Sequence, residues 1–241
     1  MSFESTRSIG VFNGSQINES GSLWGRVFAG IAIAVLGIIS LLAHYLTPLT
    51  WNVAVTRALQ SFTTSGLHEM MRLISGFGNA PKVIAITVVA LFACNKRRQA
   101  AFLGLSGMGG WLLAMQLKHF FAAPRPTAEL VTVFHHWPNA RFPSGHLVFY
   151  VCYFGFLFFL AREELPRTSL LRRGLLIVTA SLAILVGFSR VYLGEHWFSD
   201  LPGSYLLGGL WLAVCLKLYR AWTRAQLRQN DWFLPYRMTD K

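Results

Sequence analysis

Charged residues are scarce in this 241-residue chain, and acidic residues are the scarcest. Asp, Glu, Lys and Arg together make up 13% of the sequence, whereas typical soluble domains contain roughly 25%. Hydrophobic residues make up 54% and include 19 phenylalanines and 8 tryptophans. So much apolar surface is poorly solvated by water and needs a lipid bilayer around it. The composition therefore favours a single membrane-embedded domain over a soluble one.

Cysteines are also few, and their spacing excludes a cysteine-based metal site. Cys94, Cys152 and Cys215 each lie within or at the end of an apolar run. We therefore expect all three to be buried as small hydrophobic side chains. No small-residue cleavage site follows the first apolar run, so we expect that run to remain as a membrane anchor.

The basic residues outnumber the acidic ones and give a net charge of +12. They occur in short patches between apolar runs, which is typical of topology determinants and of contacts with anionic lipid headgroups. No basic stripe lies beside an aromatic stacking platform, so nucleic acid is not an expected partner. Membrane lipids are the expected surroundings.

The apolar runs predict an all-α fold, an integral membrane bundle of six transmembrane helices. The predicted spans are Val27–Leu46, Val83–Cys94, Ala100–Leu117, Leu147–Ala161, Gly174–Phe188 and Leu201–Leu218. The second is short enough to be a buried segment instead of a span. Residues 47–80 mix polar and apolar positions, which indicates helices lying at the membrane interface. The predicted domains are a polar leader (1–26), the six-span domain (27–220) and a basic cytoplasmic tail (221–241).

The distribution of Lys and Arg tests this topology. With both termini cytoplasmic, the inner segments hold 15 of the 22 basic residues and the outer segments hold seven. This bias favours six spans. It also predicts that two outer loops, 118–146 and 189–200, lie on the same non-cytoplasmic face, because two spans separate them.

Polar residues concentrate in these two loops and form three stretches. The first runs from Lys118 to Pro126, the second is Pro143-Ser-Gly-His146, and the third runs from Ser189 to Asp200. Ionisable residues at the edge of a bilayer are costly, so by default they indicate function. We expect the three stretches to form one site.

Three of the cations in these stretches predict an anion site. Lys118, Arg125 and Arg190 have no acidic partners of matching number nearby in the sequence. Converging cations repel one another unless an anion lies between them, and arginine suits phosphate oxygens. Ser144 and Gly145 open a helix, where free backbone N–H groups favour an anion and Gly145 lets it approach. The pattern predicts a phosphate-binding site.

Two histidines are candidates for acid–base and nucleophilic chemistry. His196 and Asp200 are four residues apart, so on a helix they would share a face and the carboxylate would orient the imidazole. His146 lies beside the predicted phosphate site, where it can protonate a leaving oxygen and then activate water. The three cations would stabilise charge on the transferring phosphoryl group, a task that magnesium performs in many phosphotransferases.

The three stretches resemble the signature of the type-2 phosphatidic acid phosphatase superfamily, K-x6-R-P, P-S-G-H and S-R-x5-H-x3-D, at every motif position. The resemblance implies a helical bundle that removes phosphate from lipids without a metal or other cofactor. It implies that His196 forms a phosphohistidine, that His146 is the general acid and that Asp200 orients His196. Phosphate binding would fall to Lys118, Arg125, Ser144, Gly145 and Arg190. The site would lie on the non-cytoplasmic face of the cell (inner) membrane.

Other residues near the motifs stay open. His135, His136 and Glu129 invite a metal-site interpretation together with His146, but the adjacent cations would repel a divalent ion. The two histidines would instead contact the substrate headgroup. Glu195 either tunes His196 or faces water.

The leading hypothesis is hydrolysis of a lipid phosphate or diphosphate, with undecaprenyl diphosphate, phosphatidylglycerophosphate, phosphatidic acid and lipid A phosphate as candidates. A transferase that passes the same phosphoryl group to a second lipid is the alternative. A non-enzymatic anion carrier is a third hypothesis, but such a protein would not need the spacing of His196 and Asp200. A vanadate-dependent oxidase is disfavoured because those relatives are soluble. The oligomeric state stays open.

Overall fold

The computed structural model describes residues 50–77 and 80–233, with six further residues at 30–31, 34–35 and 37–38. Residues 30–31 and 34–35 are helical and belong to a separate unit, residues 1–35. The described residues from 50 onward form helices and no strand. The predicted all-α fold is therefore confirmed for them. The predicted leader lies outside the described residues, as does most of the first predicted span.

Seven helices follow one another across residues 50–77 and 80–233. They are α1 (Thr50–Ser61), α2 (Ser65–Gly76), α3 (Ala80–Ala93), α4 (Arg97–Phe121), α5 (Gly145–Glu164), α6 (Leu170–Tyr192) and α7 (Asp200–Phe233). The side chains of Thr64, Ser144 and Ser169 each accept a hydrogen bond from the backbone N–H three residues later. These hydrogen bonds cap the first turns of α2, α5 and α6.

Four of these helices are long and apolar enough to cross a membrane. They cover Arg97–Phe121, Gly145–Glu164, Leu170–Tyr192 and Asp200–Gln226, and they coincide with the last four predicted spans. Helix α3 is apolar but has only 14 residues. These four helices fit an integral membrane protein, whereas the full count of six spans and the sides of the termini remain predictions.

Helix α5 lies at the centre and packs against α4, α6 and α7. Of its apolar stretch 67% is buried, compared with 33% for each of the other three long helices. Its core is aromatic and includes Phe149, Tyr153 and Phe156. The outer helices instead expose apolar side chains such as Ile177 and Ile184. Lipid tails would cover these side chains, because water does not solvate such surfaces well.

The short helices α1 and α2 brace one end of the bundle. The Asn52 amide exchanges two hydrogen bonds with Ser199, at 2.9 and 3.1 Å. Gln60 Nε2 donates to Thr132 O at 2.8 Å and to Tyr192 O at 2.9 Å. Ser189 Oγ donates to a backbone carbonyl of α2. Both outer loops are therefore tied to the segment that the sequence placed at the membrane interface.

One prediction about the cysteines is wrong. Cys152 and Cys215 are buried, as expected, but Cys94 is exposed. The reason is local, because Cys94 lies in the turn that follows α3.

Candidate active site

The two outer loops meet at one end of the bundle, where α4 and α6 end and α5 and α7 begin. Arg125, in the first loop, donates from Nη1 to Glu195 O in the second at 2.8 Å. Arg141 of the first loop contacts Asp200 at the start of α7, with Nε 3.3 Å from Oδ1. The prediction that the loops share a face and meet is confirmed by these contacts.

Lys118 and Arg125 are held mainly by backbone carbonyls of residues 139–141. Lys118 Nζ, at the end of α4, donates to Ala140 O at 2.5 Å. Arg125 Nε donates to Asn139 O and Nη2 to Asn139 Oδ1, both at 2.8 Å. Carbonyl oxygens orient these two side chains without supplying a negative charge. Burial lowers the pKa of Arg125 to about 10, so it is still protonated at neutral pH.

Arg190 differs from the other two cations because it has an acidic partner. Its Nη2 forms a buried ion pair with Glu195 Oε2, and its Nη1 donates to Ser75 Oγ at 2.7 Å. The sequence argument that these cations lack acidic partners is therefore wrong for Arg190. Glu195 is five residues from Arg190, and the turn between α6 and α7 folds it back onto the guanidinium.

His196 and Asp200 are paired, but not along a helix as predicted. Helix α6 ends at Tyr192 and α7 begins at Asp200, so His196 lies in the connecting turn. Gly194 gives this turn its direction with a φ of 67°. His196 Nδ1 lies 3.4 Å from Asp200 Oδ2, and that oxygen also accepts from Trp197 N at 3.0 Å. Turn geometry, and not helical spacing, brings the pair together.

The surroundings of His196 favour its neutral form. Its side chain is fully buried, and burial is the largest cause that lowers its pKa well below 6.5. The positive charges of Arg125, Arg190 and Lys118 act in the same direction, followed by the ring of His146. The imidazole is thus uncharged at neutral pH. Its Nδ1 faces Asp200, and Nε2 is its other nitrogen.

Arg141 is a site residue that the sequence analysis missed. Its side chain is fully buried, as is that of Asp200, and its Nη1 donates to Pro124 O at 3.2 Å. Burial lowers the pKa of Arg141, while the Asp200 carboxylate raises it. The signal in the sequence was a basic residue two positions before Pro143-Ser-Gly-His146. Nothing in the pattern shows whether such a residue points into the site.

The Pro-Ser-Gly-His stretch opens α5 as predicted. Ser144 is buried and caps the helix, and its backbone N–H donates to Ser204 Oγ at 2.9 Å. A Cβ on Gly145 would lie 2.3 Å from Cε of Met115 on α4, so the missing side chain leaves room for the flexible end of Met115. The prediction gave a different reason for a glycine at this position, that its missing side chain lets phosphate approach the backbone. The half-buried His146 ring lies 5.7 Å from the ring of Trp137.

The histidines of the alternative metal site do not gather. His135 and His136 are exposed, and the His135 ring packs 4.5 Å from that of Trp137. Within the described ranges, no group of three or more His, Cys, Asp or Glu side chains is placed to hold a metal ion.

Comparisons with known proteins support the motif resemblance. Residues 99–224, more than half of the chain, match the PAP2 superfamily. The chain is 29% identical to phosphatidylglycerophosphatase B of Bacillus subtilis over 159 residues, which cover 64% of this chain and 76% of that protein. It is 34% identical over 125 residues to YbjG of Escherichia coli, which is provisionally named as an undecaprenyl-diphosphatase. That match covers 48% of this chain and 54% of YbjG.

Solved structures show the same fold. The transmembrane PAP2-type phosphatidylglycerolphosphate phosphatase of Bacillus subtilis superposes with a TM-score of 0.68 at 25% identity, covering 79% of this chain and 94% of that one. LpxE of Aquifex aeolicus superposes with a TM-score of 0.54 at 23% identity, covering 70% and 97%. This chain therefore belongs to the PAP2 superfamily and is a membrane-embedded lipid phosphatase.

Proposed function

We propose that this protein hydrolyses a lipid phosphate or diphosphate through a phosphohistidine on His196, without a metal. One observation carries the proposal. The buried imidazole of His196 faces a carboxylate through Nδ1, and the charges of Lys118, Arg125 and Arg190 all lower its pKa. An oriented neutral imidazole beside a cationic pocket suits nucleophilic attack on a phosphoryl group.

In the first step, His196 Nε2 attacks phosphorus in line with the leaving oxygen. The bond from phosphorus to the lipid oxygen breaks, or in a diphosphate the bond from phosphorus to the bridging oxygen. His146, which takes up a proton when the anionic substrate binds, donates that proton to the leaving oxygen. Lys118, Arg125, Arg190 and the backbone N–H of Gly145 stabilise the equatorial oxygens. Asp200 stabilises the positive charge that develops on His196.

In the second step, water replaces the lipid. His146, which gave up its proton, accepts one from the attacking water. The water oxygen bonds to phosphorus, the bond from phosphorus to Nε2 breaks, and inorganic phosphate leaves. The same histidine thus acts as acid and then as base, as the reversal of the first step requires.

The substrate classes come from the relatives. One is named a phosphatidylglycerophosphatase and another an undecaprenyl-diphosphatase, and we propose that this chain acts on the same classes or on phosphatidic acid. Its substrate tail would lie among membrane lipids. We further propose a cell-membrane location with the site on the non-cytoplasmic face, and one catalytic domain over residues 27–220.

The test is phosphate release from a panel of lipid phosphates by detergent-purified protein in EDTA. We expect release by the wild type and a loss of at least about 1,000-fold in His196→Ala, because no other group replaces the nucleophile. His146→Ala should lose about 100- to 10,000-fold. A radiolabelled phosphate should be trapped as phosphohistidine in the wild type and absent from His196→Ala.

The matched control is His119→Ala, which removes an exposed histidine near the end of α4 and should leave turnover intact. Release that disappears in EDTA and returns with a divalent metal would contradict the mechanism. Transfer of label to an added acceptor lipid, in place of release as phosphate, would establish the transferase alternative.

A further inference from the structure

Glu195 is a buried carboxylate inside the cation cluster, and the proposed mechanism gives it no role. Only 4% of its surface is exposed. Its Oε2 accepts hydrogen bonds from Arg190 Nη2 and from Trp137 Nε1. Its backbone carbonyl accepts from Arg125 Nη1 at 2.8 Å. One residue thus engages both arginines that are proposed to bind phosphate.

The contact with Arg190 falls on a nitrogen that phosphate also needs. A guanidinium binds an oxyanion through pairs of parallel N–H groups, either Nε with Nη2 or Nη1 with Nη2. Nη2 belongs to both pairs, and Nη1 of Arg190 is already engaged by Ser75. Each of these nitrogens carries two N–H groups, so Glu195 takes one N–H of Nη2, and its negative charge competes with a phosphate oxygen at this arginine.

Trp137 gives the carboxylate a second donor that phosphate does not use. The indole N–H is neutral, and the ring lies 5.9 Å from the Arg190 guanidinium. Glu195 can keep the Trp137 hydrogen bond while it yields Nη2 to a phosphate oxygen. The negative charge of Glu195 stays near the bound phosphate and repels it.

We propose that Glu195 competes with phosphate for Arg190 and so promotes the release of inorganic phosphate after each turnover. This inference rests on the proposed function, because it takes Arg190 as a phosphate ligand. Glu195 would then set how strongly the product inhibits the enzyme.

The test variant is Glu195→Gln, which keeps the shape of the side chain and removes its charge. The probe is inorganic phosphate, measured as a competitive inhibitor of hydrolysis and by calorimetric titration of the detergent-purified full chain. We expect phosphate to bind about tenfold more tightly, since a like charge in a buried site is removed. Glu195→Asp keeps the charge and should bind phosphate no more tightly than the wild type.

Glu69→Gln is the matched control, because Glu69 is exposed and pairs with Arg72 on α2. It should leave the phosphate affinity unchanged. If Glu195→Gln does not fold, Trp137→Phe provides a second test. It removes the other donor to the carboxylate, leaves Glu195 on Arg190 and should weaken phosphate binding severalfold.

The outcomes separate the two proposals. An active wild type whose phosphate affinity is unchanged or weakened in Glu195→Gln would overturn the role of Glu195 and leave the hydrolase intact. Tighter binding in Trp137→Phe would overturn it as well. A wild type that neither releases phosphate from lipids nor is inhibited by it would overturn the proposed function itself.

Discussion

At the scale of the residue, the protonation state of His196 sets the acid limit of activity. Burial and the charges of Arg125, Arg190 and Lys118 lower its pKa well below 6.5. The lowered pKa belongs to the protonated imidazole. His196 therefore stays neutral as the pH falls below 6.5, and it becomes protonated only when the pH approaches its lower pKa. We expect the acid limb of kcat/KM, where the neutral nucleophile is lost, to lie well below pH 6.5. Steady-state rates between pH 4 and about 8 check this.

The substrate also titrates, because the second pKa of a phosphate monoester lies near 6. The control is therefore a pair of substrates, one monoester and one diphosphate, whose own ionisations differ. An acid limb that stays near pH 6.5 with both would show that His196 has an ordinary pKa.

Arg141 offers a second residue-scale prediction. It lies against Asp200 with both side chains fully buried, so Arg141→Met removes the ion-pair partner of a buried carboxylate. We expect a loss of about 3–5 kcal/mol in the free energy of unfolding, as for other broken buried pairs. Turnover should also fall, because Asp200 loses the partner that fixes its position toward His196. Thermal unfolding in detergent and kcat measure the two effects.

The control for Arg141→Met is Arg72→Met, which breaks an exposed pair with Glu69. Exposed pairs contribute about 0–1 kcal/mol, so its melting temperature should stay close to that of the wild type. An Arg141→Met protein with wild-type melting and turnover would show that Asp200 needs no such partner.

At the scale of the element, helices were predictable and the turn between them was not. Apolar runs located α4 to α7, and Ser144 was recognised as the start of α5. The spacing of His196 and Asp200 suggested a shared helix because four residues equal about one helical turn. The same spacing also fits a turn closed by Gly194. Hydrophobic periodicity does not describe such a turn.

Gly194 tests how much the site depends on that turn. Its φ is 67°, and a Cβ would lie 2.1 Å from Thr132 O, a backbone atom of the other outer loop. Gly194→Ala therefore adds about 1–2 kcal/mol of backbone strain and a clash that only a shift of the loops relieves. We expect turnover to fall at least tenfold, since a 1 Å misplacement of reacting groups suffices. Phosphate release and thermal unfolding measure both effects.

Gly174→Ala is the matched control, because it lies in α6 with no atom within 4 Å of its added Cβ. An alanine there should stabilise the helix by up to about 1 kcal/mol and leave turnover unchanged. Equal activity in the two variants would show that the turn adapts without cost to the site.

At the scale of the whole molecule, the motifs predicted that the two outer loops converge, and they do. Two residues complete the cluster: Arg141 was assigned no role in it, and Glu195 was left open between tuning His196 and facing water. Their partners, Asp200 and Arg190, are set by the course of the loops and not by a periodic pattern. The sequence thus indicated three of the cations that gather, and it missed Arg141. It did not indicate that two carboxylates would share them.

The orientation of the whole molecule in the membrane remains a prediction from the basic residues, 15 inside and seven outside. Two exposed positions test it. Native Cys94 follows α3, and Glu129 lies in the first outer loop, with the long apolar helix α4 between them. A membrane-impermeant maleimide added to intact spheroplasts should label Glu129→Cys in a Cys94→Ser chain. It should label native Cys94 only after permeabilisation, because Cys94 is predicted to lie on the cytoplasmic side. Cys152 and Cys215 are buried and should not react. The opposite pattern would place the active site in the cytoplasm, and labelling of both from outside would mean that α4 does not cross the membrane.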